Sequence, residues 1–165
     1  MSVYFIGDLH FGHKNIQKFR HFVESPEHNE DLISNYWKEK ITKKDVVYLM
    51  GDVAFTEEGL RKVHSLPGRK ILVRGNHDLL PTKYLVNVFE DIYGIVKYKE
   101  FWLSHAPIHP DELRGKVNIH GHVHYQTIPD VRYFNTSVEN LIINFAKPMV
   151  ELDELRKHLN ERTVP

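Results

Sequence analysis

Residues able to bind metal ions or move protons stand in five short motifs of this 165-residue chain: Asp8-Leu-His10, Gly51-Asp52, Gly75-Asn-His-Asp78, Ser104-His105 and Gly121-His-Val-His124. Carboxylate, amide and imidazole donors suit Mn, Fe, Zn, Ni or Co. The chain has no cysteine, so neither a thiolate site nor a disulfide is available. In Asp8-x-His10 and His122-x-His124 the paired residues stand two apart, so on extended backbone their side chains share a face. Gly7, Gly51, Gly75 and Gly121 precede the donors and let the backbone turn tightly where it nears an ion. A carboxylate can bridge two cations, and Asp52 is read as that bridge. Two ions about 3.5–4 Å apart would clamp the attacking and leaving oxygens of an in-line phosphoryl displacement.

Each motif must be delivered by an element. Ser2–Ile6, Asp45–Met50 and Lys70–Val73 are short β-branched and aromatic runs that end at motifs, as buried parallel strands do. Between them, a helix opening at Asn29 or Glu30 carries Leu32, Ile33, Tyr36, Trp37 and Ile41, and a second over Glu57–Leu66 is stopped by Pro67-Gly68. Alternating strands and helices imply a parallel sheet whose strand ends converge on one crevice. Further on, Ile92–Lys99 and Glu100–Ser104 read as a hairpin. Val117–His120, Tyr133–Thr136 and Pro148–Glu151 follow as strands, and Asp153 caps a last helix. Ser25–Asn29 is expected as a surface loop and Arg162–Pro165 as a frayed tail. The expectation is one α/β domain over residues 1–165 with mixed sheets.

Composition is that of a soluble globular protein, 41% hydrophobic and 27% charged. The 22 basic and 22 acidic residues cancel, so nucleic acid is a possible partner that net charge does not indicate. No apolar run is long enough to span a membrane. Ser2–Ile6 leads straight into Gly7-Asp8, so a cytoplasmic location is the default. No pattern in the chain specifies an oligomeric state. Histidine is the outlier at 12 residues.

The order D-x-H, G-D, G-N-H-D, S-H, G-H-x-H resembles that of the calcineurin-like metallophosphoesterases, and is most similar to their small phosphodiesterase-type members. The resemblance runs from Gly7 to Glu154 and includes Asn135-Thr-Ser-Val-Glu-Asn140. It implies a four-layer α/β/β/α sandwich and two divalent ions, with manganese first in expectation. One ion falls to Asp8, His10 and His124, the other to Asn76, His105 and His122, with Asp52 between them. It also implies that His77 donates a proton to the leaving oxygen, that Asp78 holds His77 in orientation, and that a metal-bridging hydroxide attacks a small phosphodiester or phosphomonoester. A departure is Gly51-Asp-Val-Ala-Phe55, where many relatives carry a further aspartate or histidine.

Other residues admit two readings. His13 either meets the substrate phosphate or caps a helix starting at Lys14. Arg74 either binds substrate or joins a buried ion pair. Lys14, Lys18 and Arg20 form a basic lip or a solvated helix face. His120 reads as a supporting residue, His109 as part of a solvated loop, and His21, His28, His64 and His158 as surface residues. Phe11, Phe55 and Tyr125 lie in the motif loops, where one could stack on a base or aryl group. Two rival functions are a nuclease acting on single-stranded or accessible ends, and a non-catalytic scaffold of the same fold. The intact donor set and His77 weigh against the scaffold.

Overall fold

The computed structural model describes residues 1–163. Strands β1 (Val3–Ile6), β2 (Val46–Leu49), β3 (Arg69–Val73) and β4 (Asp91–Tyr93) are parallel, and β9 (Val150–Glu151) runs antiparallel beside β1, giving the order β4-β3-β2-β1-β9. The second sheet is β5 (Ile95–Tyr98), β6 (Phe101–Ser104), β7 (Val117–His120) and β8 (Tyr133–Asn135), with only the β5–β6 pair antiparallel. The α/β class with mixed sheets is thus as the sequence suggested.

Alternation along the strands separates two apolar layers. Ile6, Leu49 and Leu72 face helices α1 (Pro26–Lys40), α2 (Glu57–Ser65) and α3 (Thr82–Leu85) through Ile33, Trp37, Leu60, Val63 and Leu85. Phe5, Tyr48, Met50 and Val73 face Phe101, Leu103, Ile119 and Phe134 of the second sheet. Leu155 and Leu159 of α5 (Leu152–Thr163) enter that same layer. α4 (Val138–Phe145) follows β8 and contributes to both layers through Val138 and Leu141. Across the far side of the second sheet, the Ile108 amide donates to Asn118 and the Tyr133 hydroxyl donates to the Ile108 carbonyl. The segment covering that face has only a 3-10 turn, Pro110–Glu112, so the fourth layer is thin.

Three expectations change. The Ser25 hydroxyl accepts from the His28 amide at 3.0 Å and Pro26 opens the first turn, so α1 starts where a loop was expected. Only the second part of Ile92–Lys99 is an arm of the expected hairpin: β4 pairs with β3, and after Gly94 the chain crosses to the second sheet as β5, which pairs antiparallel with β6. Arg162 belongs to α5 and donates to the Tyr133 carbonyl at 3.1 Å; Val164 and Pro165 of the expected tail lie outside the described residues. Among the described residues no helix is long and apolar enough to cross a membrane.

Candidate metal centre

The carboxyl ends of β1, β2, β3, β6 and β7 carry the five motifs, and backbone hydrogen bonds lace their loops together. The amides of Asp8, His10 and Phe11 donate to the carbonyls of Gly51, Asp52 and Val53, each at 3.0 Å. Gly7 donates to the Thr136 carbonyl at 2.7 Å, which joins the two sheets at this rim, and Gly121 donates to the His105 carbonyl at 2.8 Å within the second sheet. Close approach sets the glycines. A methyl group at Gly51, where φ is +86°, would lie 2.3 Å from His105 Nδ1, and one at Gly121 would lie 2.5 Å from Asp8 Oδ2.

Two donor groups result. The ligand atoms of Asp8, His10 and His124 lie within 4.8 Å of one another, as do those of Asp52, His105 and His122. Asn76 Oδ1 joins the second group, 2.8 Å from His105 Nε2 and 3.0 Å from His122 Nδ1. Asp52 lies between them. Its Oδ1 is 3.4 Å from His105 Nε2 and its Oδ2 is 3.9 Å from His10 Nε2. The His77 amide donates to Asp52 Oδ1 at 2.8 Å. Burial works to raise the Asp52 carboxyl, but the His105 ring and the His77 amide hold it below the usual carboxylate range.

The donors fit divalent cations on three grounds. Asp8 Oδ1 and both ring nitrogens of His10 are buried and meet no hydrogen-bond partner among the described residues, an arrangement costly unless something else binds them. Burial also pushes the His10 imidazole down, toward the neutral form that ligates. The donor set, all nitrogen and oxygen, suits first-row transition metals.

Behind the first group lies a network that the sequence concealed. Glu139 Oε1 is 3.1 Å from His124 Nδ1, which leaves Nε2 to face the site. The same oxygen accepts from Arg20 Nε at 2.9 Å. Arg20 also donates to the Asp8 carbonyl at 2.6 Å and to Asn29 Oδ1 at 2.5 Å. Arg20 is 0% exposed and Glu139 1%. Burial would raise Glu139, but His124 and Arg20 hold its carboxyl down at about 2. The Ser137 hydroxyl donates to Asp8 Oδ2 at 2.7 Å, and Asn135 Nδ2 donates to the carbonyl of His124 at 2.7 Å. The 135–140 segment therefore fixes Asp8 and His124 from below. Its signal in sequence was the polar run after a strand; a buried arginine gives none.

The structure redistributes several expected roles. Asp78 does not touch the His77 ring. Its carboxylate accepts from the amides of Asp52, Val53 and Gly75 at 2.8–2.9 Å, stapling two loops together. His77 is exposed, with its ring stacked on Phe55 at 5.3 Å. Arg74 is engaged on the turn it precedes, donating to the carbonyls of Asp78 and Leu80 and to the Thr82 hydroxyl, rather than to a carboxylate. His13 caps no helix; its ring packs against His10, Phe19 and Phe55 at the mouth of the site. Lys14 and Lys18 are exposed, but Arg20 is no lip residue. His120 is buried beside its own strand end, with Nδ1 2.9 Å from the Gly121 carbonyl, and His109 sits in the exposed 3-10 segment. Phe11 is fully buried in the helix-facing layer and cannot stack on a ligand.

Known proteins share the sequence pattern and fold of this chain. A model of the calcineurin-like phosphoesterase family matches residues 1–161. An uncharacterized protein of Methanocaldococcus jannaschii is 34% identical over 99% of this chain and 94% of its own length. The Gene 66 protein of Mycobacterium phage L5 is 27% identical over 74% of this chain and 77% of its own. A solved structure of a protein of unknown function from Aquifex aeolicus superposes with a TM-score of 0.75 at 30% identity, covering 95% of this chain and 98% of that one. The Pseudomonas putida nuclease MPE shares the fold at a TM-score of 0.51 and 19% identity, over 74% of this chain and 61% of that one.

Proposed function

Because the chain belongs to the calcineurin-like phosphoesterase family, we propose that it hydrolyses small phosphate esters, diesters first and monoesters second. In this reading Asp8, His10 and His124 hold one divalent cation, Asn76, His105 and His122 hold another, and Asp52 is shared. The observation that carries it is the Asp52 carboxylate, which turns one oxygen toward His105 and the other toward His10. Manganese is the first choice, with Fe, Zn, Ni or Co compatible with the same donors.

When bound, the ions supply Lewis acidity toward the phosphoryl oxygens and a water nucleophile active near neutral pH. The chain's own residues supply the rest. Asp78 fixes the spacing of the Asp52 and Asn76 loops, so that the donors converge before any substrate arrives. His77 stands exposed at the mouth, its ring resting on Phe55 and its amide fastened to Asp52, a position from which it can hand a proton to the leaving oxygen.

The test is to strip the protein of metal, reload it with Mn²⁺ or Ni²⁺, and assay bis-aryl and mono-aryl phosphates. Ester cleavage that tracks the binding of two ions per chain is expected. Two bound ions with no turnover of any ester would sink the reading and favour a binding scaffold. A nuclease is the second reading, favoured by the openness of the side bearing Asn76, His77 and His122, all exposed. It predicts that affinity for single strands falls steeply with salt.

A further inference from the structure

Beside the metal donors lies a cleft of about 450 Å³ that the hydrolytic chemistry alone does not explain. Its floor is shared with the centre through His10, His77 and His124, and its walls are His13 and Phe55. Two aromatic rings stand at its mouth, Phe19 at 62% exposed and Tyr125 at 40%. Only one aliphatic residue, Ile16, lines it. We infer that this cleft is a subsite for a planar aromatic ring, a nucleobase, carried by the ester whose phosphate sits on the metal donors. The inference rests on the phosphoesterase reading for what occupies the adjoining site.

Three observations support a flat ring over an acyl chain. An alkyl tail is best matched by an aliphatic tunnel, whereas this lining is made almost wholly of rings in an open cleft of ordinary ligand size. The rings are also braced. Tyr125 stacks on His21 at 6.0 Å and 17°, and its hydroxyl accepts from the His21 amide at 3.2 Å. Phe19 ends the 3-10 turn Ile16–Lys18 and meets the His13 ring edge-on at 5.8 Å. Exposed rings held in place this way lose little freedom on binding, which favours their use as stacking platforms. Finally, Phe55 lies against His77, so a base seated in the cleft would be next to the proton donor rather than remote from it.

The test compares adenosine 5′-monophosphate with ribose 5-phosphate, which carries an anomeric hydroxyl in place of the base, by calorimetric titration with and without Mn²⁺. The nucleotide should bind about ten-fold tighter or more, the scale of one stacked base. The double variant Phe19→Ala/Tyr125→Ala should bring that ratio close to one. Both side chains are substantially exposed, and a thermal melt of the variant checks that its fold is retained. Equal affinity for the two ligands in the unaltered protein, or a ratio the double variant leaves intact, would overturn the subsite. Turnover of bis-p-nitrophenyl phosphate is read separately. If turnover is present and base discrimination absent, the subsite falls and the phosphoesterase reading stands; base discrimination without turnover of any ester gives the reverse.

Discussion

The two halves of the candidate metal centre are built to different standards. In the first, Asp8 and His124 are backed by charges and hydrogen bonds, with Ser137 on Asp8, Glu139 on His124 and Arg20 joining Glu139 to the Asp8 backbone, while His10 is held by burial alone, neither ring nitrogen being hydrogen-bonded among the described residues. In the other half only His105 is buried and backed, its Nδ1 2.7 Å from the Met50 carbonyl, while Asn76 and His122 are exposed and meet chiefly each other and His105. A ligand fixed from behind loses little freedom on binding an ion and is held more basic by its carboxylate partner. The first half should therefore hold its cation more tightly, and the second should exchange its cation and admit substrate.

The severest way to break this comparison is to remove what the halves share. Asp52→Asn should reduce ion stoichiometry below two, read by elemental analysis, and turnover by about 10³-fold or more, the scale on which groups acting as a unit fail. Two tightly bound ions in that variant would mean that Asp52 is no bridge. Arg20→Met should leave the buried Glu139 carboxylate with the His124 ring and no fixed cation, and destabilise the metal-free fold by about 3–5 kcal/mol in urea unfolding. A loss below about 1 kcal/mol, the range of exposed pairs, would show the support to be decorative. His77→Ala should keep both ions and slow turnover by about 10²-fold, less for esters with good leaving groups. The contrast itself is sharpened by pairing Glu139→Gln with His122→Ala in chelator competition. The first should weaken the tighter ion about 10–100-fold, the second should release only the weaker one. Identical release curves would erase the asymmetry.

The meeting of these side chains was legible in sequence because strand periodicity ends abruptly in polar residues, and parallel strands bring such ends together. What supports the donors was not. Arg20 follows Lys14 and Lys18 and reads as one more solvated cation, because only tertiary packing reveals that Glu139, 119 residues away, lies opposite it. Asp78 follows His77 and reads as its orienting partner, yet its side chain turns back to three backbone amides, a choice made by the turn rather than by residue type. The Ile92–Lys99 run looked continuous because apolar character persists across Gly94, although the strands on either side serve different sheets. Ser25-Pro26 did carry a helix-start signal, which the polar stretch after it obscured.

Asp8, His10, Asp52, His122 and His124 all have left-handed backbone, with φ between 51° and 73°. Aspartate and histidine visit that region more readily than most residues, but each still holds on the order of 1–2 kcal/mol of strain. Together these positions set several kcal/mol against a net stability that in ordinary domains is about 5–15 kcal/mol. Ions that bind only the finished arrangement would offset that load by mass action, with a lower melting temperature after chelation as the measurable sign. Chains left without their ions would then be the first that cellular proteases clear, and cofactor acquisition would double as an inspection step for the newly made molecule.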